Sequence, residues 1–319
     1  MEQAYLWTQI RKNRRSSYLV MFLTTALLVL TGYVIGMAFA RGEQAGAYLG
    51  LAFALTLSVI LILATWFGGT KIMMAASRAR RIEKKDHPRL FNVVEEMAIA
   101  SGNPMPAVYI IEDSAPNAFA TGRDPQHAAV AITTGLLGKL DRDELQGVMA
   151  HEMSHVRNYD ILFAMIMGVM VGSIALLCDA FLRATWYGAR GRRRRSSSSG
   201  KGGGAQVIIL VAALLLAILA PIFAKLLQLA MSRQREYLAD ASAAELTRYP
   251  EGLARALEKI SGDKEVLEAA NRATQHLYIV NPIKAFEKRA AGAFSTHPPI
   301  GERVRILREM SHTMAPRRA

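Results

Sequence analysis

The chain has 319 residues, enough for a sizeable core and more than one structural unit. Its 51% apolar content is gathered into long uncharged runs, which argues against a wholly water-soluble protein, and its single cysteine, Cys178, excludes an internal disulfide or a cysteine-based metal site. A net charge of +13 raises a nucleic-acid partner, but the basic residues mostly flank the apolar runs, so no specific nucleic acid is expected.

Two of those runs come first. Tyr18 to Ala40 and Gln44 to Thr70 carry no charge, and each is long enough to cross a bilayer as a helix. The first is too long for the core of a cleavable signal peptide, and a second follows almost at once. Residues 1–70 therefore read as an N-terminal transmembrane hairpin. Arg11, Lys12, Arg14 and Arg15 precede it, and Lys71, Arg78, Arg80, Arg81, Lys84 and Lys85 follow it. The link between the runs holds only Arg41 and Glu43, so the positive-inside rule places both flanks in the cytoplasm.

Residues 71–160 form the first soluble stretch. A helix is expected from about Arg89 to Ser101, with Leu90, Val93, Val94 and Met97 on one face and Gly102-Asn103-Pro104 as its stop. Ala107 to Glu112 reads as a strand, Ala115-Pro116-Asn117 as a turn into Ala118-Phe119-Ala120, and Ala128 to Thr133 as a further strand. A helix from Arg142 through His155 comes next, with Asp141 as N-cap and Glu144 as capping-box partner.

That helix carries His151-Glu152-Met153-Ser154-His155. Histidines four apart share a helix face, so both rings reach one metal ion, and the glutamate between them can address a water on that ion. The pattern points to zinc-dependent peptide hydrolysis.

Residues 161–231 read as a second hydrophobic hairpin, Ile161 to Cys178 and Gly202 to Ala224, the latter interrupted only by Pro221. Residues 183–205 between them are an Arg/Ser/Gly-rich stretch, read as a disordered loop. If both hairpins span, this basic loop faces away from the cytoplasm, against the positive-inside rule. Either the second hairpin dips in without crossing, or the first pair dictates topology.

Residues 232–319 form the second soluble stretch. Leu226 to Leu246 continues as a helix, followed by helical segments near Glu251 to Ile260 and Gly301 to Met310. A catalytic zinc site needs a third protein ligand. Glu236 is the candidate, returned toward the His151 helix by the out-and-back hairpin. Asp240, one turn later on the same face, can accept the free ring N–H of a ligand histidine.

His151 to Asn158, Ser232 to Asp240 and Ser295-Thr296-His297-Pro298-Pro299 together closely resemble the HtpX family of bacterial membrane-bound zinc metalloproteases, related to the CAAX-prenyl protease Ste24. Asn117 to Gly122 and Val130 to Leu137 look like that family's edge-strand region. The resemblance implies an α+β, mostly helical fold: a zincin-like metalloprotease domain with a small β-sheet, anchored by two hydrophobic helical hairpins. It implies one zinc ion per chain on His151, His155 and Glu236, with Glu152 as general base and acid. His297 and Asn117 match positions that hold substrate or the developing oxyanion, though His297 could instead cap the zinc.

By edge pairing, Ala128, Val130 and Ile132 are expected to bind extended substrate. The site is expected on the cytoplasmic face of the bacterial inner membrane, with damaged or misfolded membrane proteins as substrates and the lipid bilayer as partner. A non-catalytic zinc-stabilised scaffold and a Ste24-like prenyl-peptide protease are the alternatives; four hydrophobic runs look too few for the chamber of the latter.

Overall fold

The protein is described by a computed structural model covering residues 2–40, 42–192, 203–263, 265 and 298–314. It divides into two compact units: residues 1–17, 66–165 and 229–319 form one, and residues 18–65 and 166–228 the other.

Among the described residues, the second unit consists of helices and one short turn. It contains the apolar parts of α1 (Glu2–Phe39), α2 (Gln44–Ala76), α6 (Asp160–Arg192) and α7 (Gly203–Thr247). All four helices are long and apolar enough to cross a membrane. Hydroxyl groups inside them bond their own backbone: Thr24, Thr31, Ser58, Thr65 and Ser173 each donate to the carbonyl four residues earlier.

In α1 and α2 the packing device is backbone proximity. Gly32 and Gly36 of α1 face Gly46 and Gly50 of α2, and a Cβ on Gly50 would run into the Gly32 carbonyl oxygen. Small residues spaced by four let helices approach where no hydrophobic effect drives them together.

Residues 183–192 are helical, correcting the expectation of a loop from 183. The Arg183 guanidinium reaches Asp179 at 2.8 Å across one turn, and Thr185 donates to the Phe181 carbonyl. Extending an existing helix avoids the cost of nucleation, so α6 runs on to Arg192 even through Gly188 and Gly191.

The first unit has a water-soluble style of core. Its sheet runs β1 (Arg80–Arg81), β2 (Ala107–Ile111), β4 (Ala128–Thr133), β3 (Ala118–Gly122). β2 and β4 are parallel, while β1 and β3 are antiparallel to their neighbours. β4 is thus an inner strand, and every residue in it is buried. The expectation that Ala128, Val130 and Ile132 offer a free edge is therefore overturned: an uninterrupted apolar run is the mark of a strand covered on both faces. The outer strand on that side is β3.

Helices α3 (Pro88–Ser101), α4 (Thr134–Lys139), α5 (Arg142–Arg157), α8 (Pro250–Gly262) and α9 (Ile300–Met314) complete the unit. Leu90, Val93, Val94 and Met97 of α3 meet Leu145, Val148, Met149 and Met153 of α5 in one buried cluster, which Leu253, Leu257, Val304 and Leu307 extend. Close approach sets the α5–α8 contact: a Cβ on Gly147 would press on the Leu253 backbone. The expected capping box is present, Glu144 N–H donating to Asp141 at 2.9 Å and Asp141 N–H to Glu144 at 2.8 Å.

Two outcomes follow. Asp141→Ala removes the N-cap acceptor and should cost about 1 kcal/mol, read as a lower thermal midpoint of the detergent-purified chain. Gly50→Ala should cost roughly 1–3 kcal/mol by overpacking, whereas Gly172→Ala, at a position with open space around it, should leave the midpoint unchanged.

Candidate metal centre

Helix α5 presents His151, Glu152 and His155 on its inner side, all three well shielded from solvent. Past its C-cap, Asn158, the chain turns on Tyr159, which adopts a left-handed φ of 61°. Such a conformation costs a non-glycine residue about 1–2 kcal/mol. It starts α6 at once and brings Asp160 back beside His155.

The two imidazoles are held from outside. His151 Nδ1 lies 3.0 Å from Asp240 Oδ1, and His155 Nδ1 lies 3.1 Å from Asp160 Oδ2. A carboxylate accepts only, so His155 donates its Nδ1–H to Asp160, while Asp240 stands beside Nδ1 of His151; in both rings Nε2 is the nitrogen turned inward. Those two Nε2 atoms face each other at 3.2 Å. Glu236, on α7, stands 3.6 Å from both of them, through one carboxylate oxygen to each ring. Lone pairs and a carboxylate converging on one point need a cation among them.

The charge balance says the same. Glu152, Asp160, Glu236 and Asp240 are four buried carboxylates, and among the described residues the buried cations in contact with this set are Arg235 and Arg303. Fully ionised, the set lacks two positive charges, which is what a divalent ion brings. The donor set of two imidazoles and one carboxylate is also one that suits catalytic zinc. His151, His155 and Glu236 are the residues that could hold it.

Arg303 and Arg235 are parts of the centre that sequence reasoning missed. Arg303 of α9 is fully buried; its guanidinium grips Asp240 at 2.7 and 2.8 Å and reaches Glu236 at 3.1 Å. Arg235 donates to Asp160 at 2.5 Å and to the Ser17 hydroxyl, and it lies 3.9 Å over the Phe163 ring. Its neighbour in sequence is the candidate ligand, and alternation along a helix sends the two side chains to different partners. Asp160 was missed too, since five residues beyond a histidine is no helical contact; only the turn at Tyr159 makes it one.

The environment sets protonation. Burial pushes the Glu152 carboxyl above its ordinary range, and the Glu236 charge adds to this; the His151 and His155 charges and a bond from the Ala120 backbone N–H oppose it. Burial would lower His155, but the Asp160 hydrogen bond and the Glu236 charge outweigh it and raise the ring to about 9.

The remaining sequence candidates are spread out. Asn117 is buried at the head of β3, where its side-chain oxygen accepts from Ala118 N–H and its carbonyl from Thr133 N–H. Ala128, Val130 and Ile132 lie inside the sheet, away from its edges. His297 lies outside the described residues.

Comparison with known proteins agrees with this geometry. The chain matches Peptidase family M48 over residues 84–311, a range that takes in all of these groups except Ser17. A protein named Protease HtpX homolog from Dictyoglomus thermophilum is 43% identical over 97% of this chain and 96% of its own length. The Protease HtpX homolog of Lactobacillus helveticus is 41% identical over 96% of this chain and all of its own, and that of Listeria monocytogenes serotype 4b is 44% identical with the same coverage. Among solved structures, the crystal structure of S. mikatae Ste24p aligns with a TM-score of 0.50 at 20% identity, covering 95% of this chain and 67% of that one, a likeness of fold alone. Matched nearly end to end by these relatives, and bearing a His-His-Glu cluster within the family's span, the chain belongs to peptidase family M48, among its HtpX membrane metalloproteases.

Proposed function

We propose that the chain is a zinc metalloendopeptidase of the bacterial inner membrane that cuts damaged or misfolded membrane proteins on the cytoplasmic side. The observation that carries this reading is the pair of Nε2 atoms turned toward each other, with Glu236 across from both and Glu152 beside them. The assigned ligands are His151, His155 and Glu236. When bound, zinc supplies Lewis acidity and water activation.

The chain's own residues do the rest. Glu152, held partly protonatable by burial, takes a proton from the attacking water and passes it to the departing amine. Asp240 and Asp160 fix the two ring tautomers, and Arg303 keeps Asp240 ionised and holds Glu236 in place. An extended substrate pairs with β3, the outer strand, rather than with β4. Main-chain pairing reads little side-chain identity, which suits an enzyme that disposes of varied damaged chains.

The location rests on sequence distance. The His151 helix ends four residues before Ile161, where the third apolar run begins, and Glu236 follows the fourth run by a dozen residues. The basic flanks of the first hairpin assign the cytoplasmic side.

The decisive assay compares wild type with Glu152→Gln and His151→Ala in detergent. Wild type should cleave a casein-like substrate, lose activity to a chelator and regain it on zinc addition. Glu152→Gln should keep its zinc and lose cleavage; His151→Ala should lose both. Near-normal cleavage by Glu152→Gln would falsify the general-base assignment. Zinc without any cleavage by wild type would instead favour a metal-stabilised scaffold.

The outer carboxylates have their own signature. Asp240→Asn and Asp160→Asn should each weaken zinc retention about 10–100-fold against a buffered chelator. Retention equal to wild type in both would show that the ring tautomers do not depend on them.

A further inference from the structure

A second concavity of the first unit lies apart from the metal centre. It is an open groove of about 920 Å³ whose lining includes Trp66, Phe67 and Lys71 from the end of α2, Arg81 and Lys84 from the segment after it, and Arg123 from the turn after β3. Trp66 and Phe67 are exposed, at 41% and 72%. The Arg123 guanidinium stands 5.9 Å from the Trp66 ring and 2.8 Å from His127.

The position of these residues along α2 matters. Gln44 to Thr70 is uncharged, and Lys71 is the first charge after it. Trp66 and Phe67 therefore sit where an apolar span gives way to water, the level at which aromatic rings gather. The cations lie just beyond that level, at headgroup depth.

The charges are not cancelled locally. Lys84 pairs with Glu95 at 2.9 Å, and Glu83, the acid in the lining, pairs with Lys85 at 3.0 Å. Arg123 meets Asp124 at 3.4 Å. Lys71 and Arg81 have no ion-pair partner among the described residues. Two uncompensated cations beside exposed aromatic rings offer an anionic phosphate one wall and an acyl chain the other.

We propose that this groove binds the headgroup of an anionic phospholipid, with Lys71 and Arg81 on the phosphate and Trp66 and Phe67 against the upper acyl chain. Charge complementarity and the end of the apolar run select a lipid over a soluble anion. The inference does not depend on the catalytic reading, since none of these residues touches the metal centre.

The test uses the full chain in nanodiscs of phosphatidylcholine with a minor share of phosphatidylglycerol. Lipid retained on transfer to detergent is identified by native mass spectrometry. Phosphatidylglycerol should be retained in preference to phosphatidylcholine. Lys71→Gln/Arg81→Gln should reduce that retention roughly 30-fold, about five-fold per cation. Lys71→Arg/Arg81→Lys should keep it, and so should Arg142→Gln/Arg305→Gln, which removes the same charge elsewhere. A second measurement leaves the groove untouched: in Trp7→Phe/Trp186→Phe, brominated phosphatidylglycerol should quench Trp66 more than brominated phosphatidylcholine does. Equal retention or equal quenching of the two lipids overturns the proposal. So does wild-type retention in Lys71→Gln/Arg81→Gln, or displacement of the lipid by millimolar inorganic phosphate.

Discussion

Two imidazole nitrogens are turned toward each other 3.2 Å apart, and the rest of the catalytic unit is arranged to hold them there. Each ring could turn away by flipping, but a buried carboxylate beside each Nδ1 opposes this. Those carboxylates would be costly to bury alone, so each has a guanidinium: Arg303 on Asp240 and Arg235 on Asp160. Four helices, α5, α6, α7 and α9, are thus committed to one electrostatic arrangement. The same arrangement leaves a deficit of positive charge at its centre, which is why a cation belongs there.

The two units are stabilised by different physics. The catalytic unit buries a continuous cluster of Leu, Val, Ile and Met from α3, α5, α8 and α9. In the helical unit apolar side chains remain widely exposed, Leu49, Val59 and Leu176 among them, as expected where lipid is the solvent. There the glycines of α1 and α2 bring backbone against backbone, and dispersion at close range replaces the drive to leave water.

Much of this was legible in the sequence because it obeys local rules. The helix periods of α3 and α5, the capping box at Asp141 and Glu144, and the strands at 107–111 and 128–133 each follow from residues within a turn or two. The grouping of His151, His155 and Glu236 was legible because histidine spacing fixes one face and an apolar hairpin implies a return. What failed was non-local. Strand order decides which strand is the edge, and no pattern inside Ala128 to Thr133 states its neighbours; only its unbroken burial hinted at an inner place. Arg303 and Arg235 look in sequence like any exposed basic residue, since nothing local reveals a buried carboxylate waiting for them. The extent of α6 was misjudged because low complexity begins gradually, and helix persists through Arg192 on residues that tolerate it.

The reliance of Asp240 and Glu236 on Arg303 has a temporal side. Translation makes His151 and His155 first, Glu236 and Asp240 about eighty residues later, and Arg303, in α9, later still. A polypeptide still being synthesised can therefore hold the histidines without the counter-charge that lets the acids share their burial. The counter-charge therefore arrives only after the four long apolar helices among the described residues have been made.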